Sequence, residues 1–260
     1  MIFFVILQKI VMNKCRNNKT ALIFAAGLGT RLKPLTDTTP KALVKIGEKT
    51  LLQIAIEKLK FADFNQIVIN TYHFAEQIFD FIKKNNFDVE ILISHEKEML
   101  LDTGGGIFYA KEKIGENMPF LVHNVDIISN ADLQKLYTAH NTKNLATLLV
   151  SNRNTNRYLL FNNENILVGW QNTKTGEIKS PFKNLEVENC NRLSFNGIHV
   201  ISPSIFKLMQ NKTLPFSIID FYISICDKER IISYQQPDLE VIDVGKIETI
   251  NYLTKNYYYM

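Results

Sequence analysis

From Thr20 onward the chain alternates short apolar runs with amphipathic stretches, and no other feature narrows its possible folds as far. Ala21–Ala26 is apolar, of strand length, and stops at Gly27. Leu51, Leu52, Ala55, Ile56 and Leu59 then recur at helical spacing, with Glu57, Lys58 and Lys60 on the opposite face. Residues 66–70 (QIVIN) read as a second strand, and Phe74, Ile78, Phe81 and Ile82 stripe a second helix. A third pair follows: strand 89–94 (VEILIS), then Ile107, Ala110 and Ile114 on a helix behind a Gly-Gly-Gly start. Strand 119–124 (PFLVHN) and the face formed by Leu133, Leu136 and Tyr137 complete a fourth. Strands alternating with helices at this spacing predict right-handed βαβ crossovers.

The expected fold is therefore α/β, a Rossmann-like, doubly wound and mostly parallel sheet. The second half is less regular. Residues 146–151, 158–162 and 166–170 are short apolar runs, the last two flanking the turn Asn163-Glu164-Asn165, which predicts a meander or hairpin packed beside the main sheet as a small β-rich lobe. Residues 193–202 (LSFNGIHVIS) form a strand interrupted at Asn196-Gly197, where glycine marks a bulge or a close ligand approach. Helices are expected over residues 204–210 and 216–227, then a last strand pair, 231–235 with 241–244, and a terminal helix.

At 260 residues, 46% hydrophobic and 22% charged, the chain can bury a sizeable core, and disorder and collagen-like repeats are excluded. Thirty basic against 26 acidic residues leave +4, too weak and dispersed for nucleic acid but suited to a polyanionic small molecule. Cys15, Cys190 and Cys226 are odd in number and far apart, which argues against a disulfide framework or zinc site and for a cytoplasmic setting. The first eleven residues, MIFFVILQKIV, are too short to span a membrane, and their lysine follows the apolar run rather than preceding it. They read as an extension over residues 1–19, either an upstream start with Met12 as the true beginning or a short membrane-contacting or edge-strand segment. Residues 20–260 then form one domain. The aromatic tail Tyr257-Tyr258-Tyr259 suits a dimer contact or a frayed end, so a monomer or homodimer is expected.

The most informative segment starts at Ala25-Ala26-Gly27-Leu28-Gly29-Thr30-Arg31 and closes at Pro40-Lys41. A glycine-rich turn directly after a strand lets backbone N–H groups approach a phosphate chain. It is not the dinucleotide fingerprint, whose third glycine position is Leu32, nor a P-loop. Gly-x-Gly alone suits a plain tight turn equally well; with Arg31 and Lys41 added, it suits a triphosphate clamp. Asp126 follows an apolar strand and belongs at the carboxyl end of the sheet, where open α/β folds hold ligands. Ser129, Asn130 and Asp132 already supply caps for the next helix, which favours a metal-ligand role for Asp126. Asp243 alone reads as a helix cap, and only its pairing with Asp126 lifts it to a second ligand. The five histidines show no ligand spacing, and His123 and His199, which lie on strands, read as satisfied core or near-site groups rather than catalytic bases.

The stretch Ala25–Lys41 resembles the signature of the sugar-1-phosphate nucleotidyltransferases, a Gly-x-Gly-Thr/Ser-Arg loop followed by Pro-Leu-Thr and Pro-Lys. Residues 101–107 (LDTGGGI) resemble that family's nucleobase loop. Asn124-Val125-Asp126 resembles its first metal segment, Phe195–Ile198 its sugar-contact strand, and Asp243-Val244-Gly245 its second metal site. Within the family the chain is most similar to the N-acetylmuramate-1-phosphate uridylyltransferase and mannose-1-phosphate guanylyltransferase groups. The resemblance implies transfer of a nucleotidyl group from a nucleoside triphosphate to a sugar-1-phosphate, with Mg²⁺ held by Asp126 and Asp243. It implies catalytic Arg31 and Lys41, nucleotide contacts from Ala26, Gly27, Gly29, Thr30, Thr103, Gly104 and Gly105, and sugar contacts from Asn124, Asn196 and Gly197 on a sugar-binding lobe. Two positions depart from the pattern: Val125 stands where glycine is usual, and Lys183 is the nearest match to an acceptor lysine but reads as an exposed loop residue. Two other readings stay open, cytidylyl transfer to a small alcohol phosphate such as phosphocholine and a non-catalytic nucleotide-sugar-binding module.

Overall fold

In the computed structural model, which describes residues 19–256, the strands are β1 (Thr20–Phe24), β2 (Lys45–Ile46), β3 (Lys49–Thr50), β4 (Gln66–Thr71), β5 (Glu90–His95), β6 (Phe120–Asn124) and β7 (Ile127–Ser129). They continue as β8 (Ala146–Ser151), β9 (Arg157–Phe161), β10 (Leu167–Asn172), β11 (Ile178–Lys179), β12 (Asn191–Ile201), β13 (Ile231–Gln235) and β14 (Val241–Asp243). The α-helices are α1 (Leu51–Phe61), α2 (Ala75–Lys84), α3 (Asp102–Tyr109), α4 (Lys111–Ile114), α5 (Leu133–Ala139), α6 (Ile205–Met209), α7 (Ile218–Ile225) and α8 (Ile247–Asn256). Residues 1–18 of the expected extension, Met12 and Cys15 included, and the tyrosine tail lie outside the described residues. No described helix is long and apolar enough to cross a membrane.

The expected parallel core is present: β6, β1, β4 and β5 run side by side, all pairs parallel. The central strands β6, β1 and β4 carry apolar runs because both of their faces are covered, whereas the edge strand β5 is only partly buried. On β1, Ala21 and Ile23 pack with α1 and Leu133 of α5, whereas Leu22 joins Ile107 of α3 and Phe120 on the other side. The N-cap of α1 is Thr50, whose hydroxyl accepts from the Gln53 amide at 3.1 Å, and Asp132 caps α5 through the Lys135 amide at 2.9 Å.

Three expectations are corrected. The β-rich lobe does not pack beside the main sheet but continues it. The ten-stranded order runs β11-β10-β9-β12-β6-β1-β4-β5, with β8 paired to β12 and β13 to β8. Strand β12 makes this possible: its first three residues pair with β9, its last four with β6, and the ladder slips between Phe195 and His199, where Gly197 takes φ +71°. The two late strands do not pair with each other; β13 lies parallel to β8, and β14 lies antiparallel to β7 in a separate two-stranded sheet. Finally, the three glycines do not precede the third helix but lie inside α3, buried.

His123 and His199 are core groups, as their strand positions suggested. Burial pushes His123 down to about 4, the Lys58 charge adding to the effect, and pushes His199 down to about 3. Neither His199 nitrogen has a partner, and its ring sits 5.3 Å from Phe195 and 5.9 Å from Tyr222. A folded-state value below the unfolded 6.5 means that the unfolded chain takes up protons that the native state refuses, so stability is complete above pH 6.5 and falls as the pH drops towards 4. Each ring then costs about 2 kcal/mol at pH 5. Denaturant unfolding of the wild type should show a lower midpoint at pH 5 than at pH 7.5, and His199→Phe should lose less stability over that interval. An unaltered pH dependence in His199→Phe contradicts this assignment.

Candidate active site

The loop that leaves β1 is shaped by two glycines and a threonine. Gly29 takes φ +65°, and a Cβ there would lie 2.9 Å from the Thr36 methyl. Thr36 is buried, and its hydroxyl donates to the Gly29 carbonyl at 2.8 Å, which ties the far arm of the loop back to the turn. The Leu32 amide also donates to the Gly29 carbonyl at 2.8 Å, starting the 3-10 turn Thr30–Leu32. Among the described residues, no backbone amide from Ala26 to Arg31 donates to a protein acceptor. A run of free amides at the carboxyl end of a parallel strand is an anion-binding cradle.

That cradle opens onto a cleft of about 410 Å³. Its lining includes Ala26, Gly27, Gly29, Thr30, Arg31 and Lys41 on the loop side, Thr103 on α3, Asn124 at the end of β6, and Val125 and Asp126 in the turn after it. Lys41, in the 3-10 turn Lys41–Leu43, forms an ion pair with Asp126, 85 residues further along the chain; both side chains are largely buried. Asp243 does not line the cleft but lies beside it. The Val244 amide donates to the Asp126 carbonyl at 2.9 Å, and Asp243 is in register with Ile127 across β14 and β7. At Gly245 a Cβ would lie 2.8 Å from Arg31 Nη1 and 3.0 Å from Asp243 Oδ1, so the missing side chain leaves room for the guanidinium and the carboxylate.

Other expected residues fall differently. Gly104 and Gly105 are not open to a base: both amides donate to the Phe216 carbonyl, at 2.9 and 3.2 Å, and a Cβ on Gly104 would run into the Phe216 ring. The glycines serve helix packing, and only Thr103 of that trio reaches the cleft. Asn196 is buried and accepts from the Ser151 hydroxyl at 3.2 Å instead of lining the cleft. Gly197 acts through its neighbour, since a Cβ there would lie 2.8 Å from Asn124 Nδ2. Val125 is buried in the core and takes its place in the cleft wall. Lys183 is exposed and lies outside the cleft lining.

The sequence reading missed Asn70 and Glu96, which also line the cleft. Glu96 is buried; it accepts from Asn70 Nδ2 at 2.8 Å and from the Leu101 amide at 2.8 Å. Burial holds its carboxyl above the ordinary range, and those two bonds pull it back. Asp102, at φ +59°, accepts from its neighbour Thr103 and turns the chain into α3. Nothing in the segment SHEKEML marks Glu96 as other than one of several surface charges.

No group of three or more His, Cys, Asp or Glu among the described residues could hold a metal by itself. Asp126, in the turn between β6 and β7, and Asp243, the last residue of β14, are hard oxygen donors of the kind Mg²⁺ takes, one or two carboxylates with water and phosphate oxygens completing its octahedron.

The description "Nucleotidyl transferase" names the family whose profile matches residues 20–158. The N-acetylmuramate alpha-1-phosphate uridylyltransferase of Neisseria meningitidis serogroup B is 33% identical over 187 residues, 72% of this chain and 76% of that protein. Its namesake from Caulobacter vibrioides is 38% identical over 113 residues, 42% of this chain and less than half, 46%, of that protein's length. In fold, HddC from Yersinia pseudotuberculosis complexed with GMP-PN superposes with a TM-score of 0.72 over 92% of this chain and 99% of its own, at 21% identity. With the profile covering more than half of its residues and a relative above 30% identity over most of its length, the chain belongs to the nucleotidyl transferase family.

Proposed function

We propose that the protein transfers a nucleotidyl group from a nucleoside triphosphate to a sugar-1-phosphate, releasing pyrophosphate and forming a nucleoside diphosphate sugar of the UDP-N-acetylmuramate or GDP-mannose type. The observation that carries this reading is the meeting, in one cleft, of the free amides of Ala26–Arg31 with Lys41, Arg31 and the carboxylate of Asp126. An oxygen of the acceptor phosphate attacks the α-phosphorus in line; the bond from that phosphorus to the bridging oxygen breaks, and the electron pair leaves with pyrophosphate. Such a step needs positioning and charge neutralisation rather than a covalent nucleophile.

The chain's own residues meet those needs. The amides around Gly27 and Gly29 hold the triphosphate, and Arg31, beside Gly245, neutralises the leaving β and γ phosphates. Lys41 sits where the α-phosphate and the incoming phosphate converge. Asp126 and Asp243 would hold Mg²⁺, which when bound neutralises charge on the reacting phosphates. Asn124, held in place over Gly197, faces the sugar side. The position of Asn124 beside the bulge of β12 supports a sugar acceptor over a small alcohol phosphate. The paired Lys41 and Asp126 support catalysis over a binding-only module. Among the described residues Cys190 and Cys226 are free thiols, in keeping with the cytoplasmic setting proposed for the protein.

Pyrophosphate release should appear for at least one pairing of UTP, GTP, CTP or dTTP with N-acetylmuramate-1-phosphate, mannose-1-phosphate or glucose-1-phosphate, stop with EDTA and return with excess Mg²⁺. Release with phosphocholine alone, or with no pairing, overturns the reading, and release insensitive to EDTA overturns the metal assignment. Gly197→Ala, which pushes on Asn124, should raise KM for the sugar phosphate about tenfold while leaving KM for the nucleotide unchanged. Equal changes in both constants contradict the placement of Asn124.

A further inference from the structure

A second cleft, of about 500 Å³, opens on the lobe and takes no part in the chemistry above. Its floor is one face of the sheet: Lys179, Trp170 and Leu159 stand in register across β11, β10 and β9, and Asn172 and Arg157 form the next row. Arg153 and the first turn of α7 complete the walls. The two clefts share a partition. Thr103, in the first, accepts from the Ile218 amide at 3.0 Å, and the neighbours of Ile218, Ser217 and Ile219, line the second. On β12, Phe195 lines the second cleft, and Gly197, two residues on, packs against Asn124 in the first.

The charges in this cleft are unevenly matched. Lys179 is taken up by Asp220 at 2.9 Å and Glu177 at 3.9 Å, and its ammonium lies 5.2 Å from the centre of the Trp170 ring. Arg157 and Arg153 have no ion-pair partner among the described residues; Arg153 makes only a long 3.4 Å bond to the Ser194 hydroxyl. Two uncommitted guanidinium forks are suited to a planar carboxylate, which they can grip in bidentate fashion. A neutral hexose would leave both without a counter-charge.

We infer that the second cleft receives the substituted end of the acceptor, and that Arg153 and Arg157 select a sugar-1-phosphate carrying a carboxylate on a ring substituent remote from its phosphate. This rests on the transferase reading and deepens it, since the shared partition places that end of the sugar next to the phosphate cleft. The pair discriminates acidic from neutral acceptors and touches none of the reacting atoms. N-acetylmuramate-1-phosphate, which bears a lactyl carboxylate, and N-acetylglucosamine-1-phosphate, which lacks one, isolate the effect because the rest of the sugar is the same.

The test measures kcat and KM for both acceptors with the wild type, Arg153→Gln, Arg157→Gln and the double variant, with the nucleotide that gives release held saturating. The wild type should favour the acidic acceptor at least about tenfold in kcat/KM, the effect of one charge-assisted contact. The double variant should raise KM for that acceptor by about the same factor. KM for the neutral acceptor should stay within about twofold, and thermal unfolding should be unchanged, because both side chains are exposed. Binding of free N-acetylmuramate, followed by calorimetry, should weaken in parallel. No preference in the wild type, or an equal loss on both acceptors, overturns the role of the arginines while leaving the transferase reading intact. No pyrophosphate from either acceptor or from mannose-1-phosphate and glucose-1-phosphate overturns both.

Discussion

The ion pair between Lys41 and Asp126 joins the two halves of the candidate site. Without it, the loop that leaves β1 and the turn after β6 would be two separate exits from neighbouring parallel strands. With it, the far arm of the loop is drawn over the carboxyl end of the sheet, and the free amides of Ala26–Arg31 face Asp126 across one cleft. The pair is mostly out of water, so losing either partner leaves a charge with little solvation, which costs more than at a surface. Thr36 reinforces the same closure from inside the loop through the Gly29 carbonyl. The arrangement also suits the proposed phosphate site, since a lysine already committed to a carboxylate would exchange one anion for another on binding substrate.

The sheet gives this cleft its position, and the change from parallel to antiparallel gives it a second chamber. The parallel strands β6, β1, β4 and β5 end together, which brings Asn124, the glycine loop, Asn70 and Glu96 to one edge. Strand β12 then runs antiparallel and slips register around Gly197, so that its first residues pair with β9 while its last pair with β6. The same bend presses Gly197 against Asn124, so the phosphate cleft and the lobe are mechanically continuous. The buried carboxylate of Glu96 fixes the entry to α3 from behind, and the Phe216 carbonyl fixes the glycines of that helix from the side.

Much of this was legible in the sequence, for stateable reasons. The central parallel strands are buried on both faces, so they read as continuous apolar runs. The phosphate loop combines a strand, two glycines and two cations at short range, and all of that is local information. What was not legible depends on distant partners. Glycine inside a helix is unfavourable by local propensity, so placing residues 104–106 before the helix followed from the sequence; the ring of Phe216, 112 residues away from Gly104, is what demands the missing Cβ. A three-residue strand such as β14 has no periodicity from which to infer that it pairs with β7 instead of β13. Glu96 is one acidic residue among several, and only the tertiary fold buries it against Asn70.

Asp126 is the carboxylate around which the proposed chemistry is arranged. Turnover of Asp126→Asn, measured with the best substrate pair alongside thermal unfolding, tests it most directly. Asparagine keeps the shape and removes the charge, so kcat should fall on the order of a hundredfold or more, while the variant, with Lys41 left without its counter-charge, still unfolds cooperatively, at a lower temperature than the wild type but above that of the assay. A folded Asp126→Asn variant that turns over within a few-fold of the wild type would contradict the account.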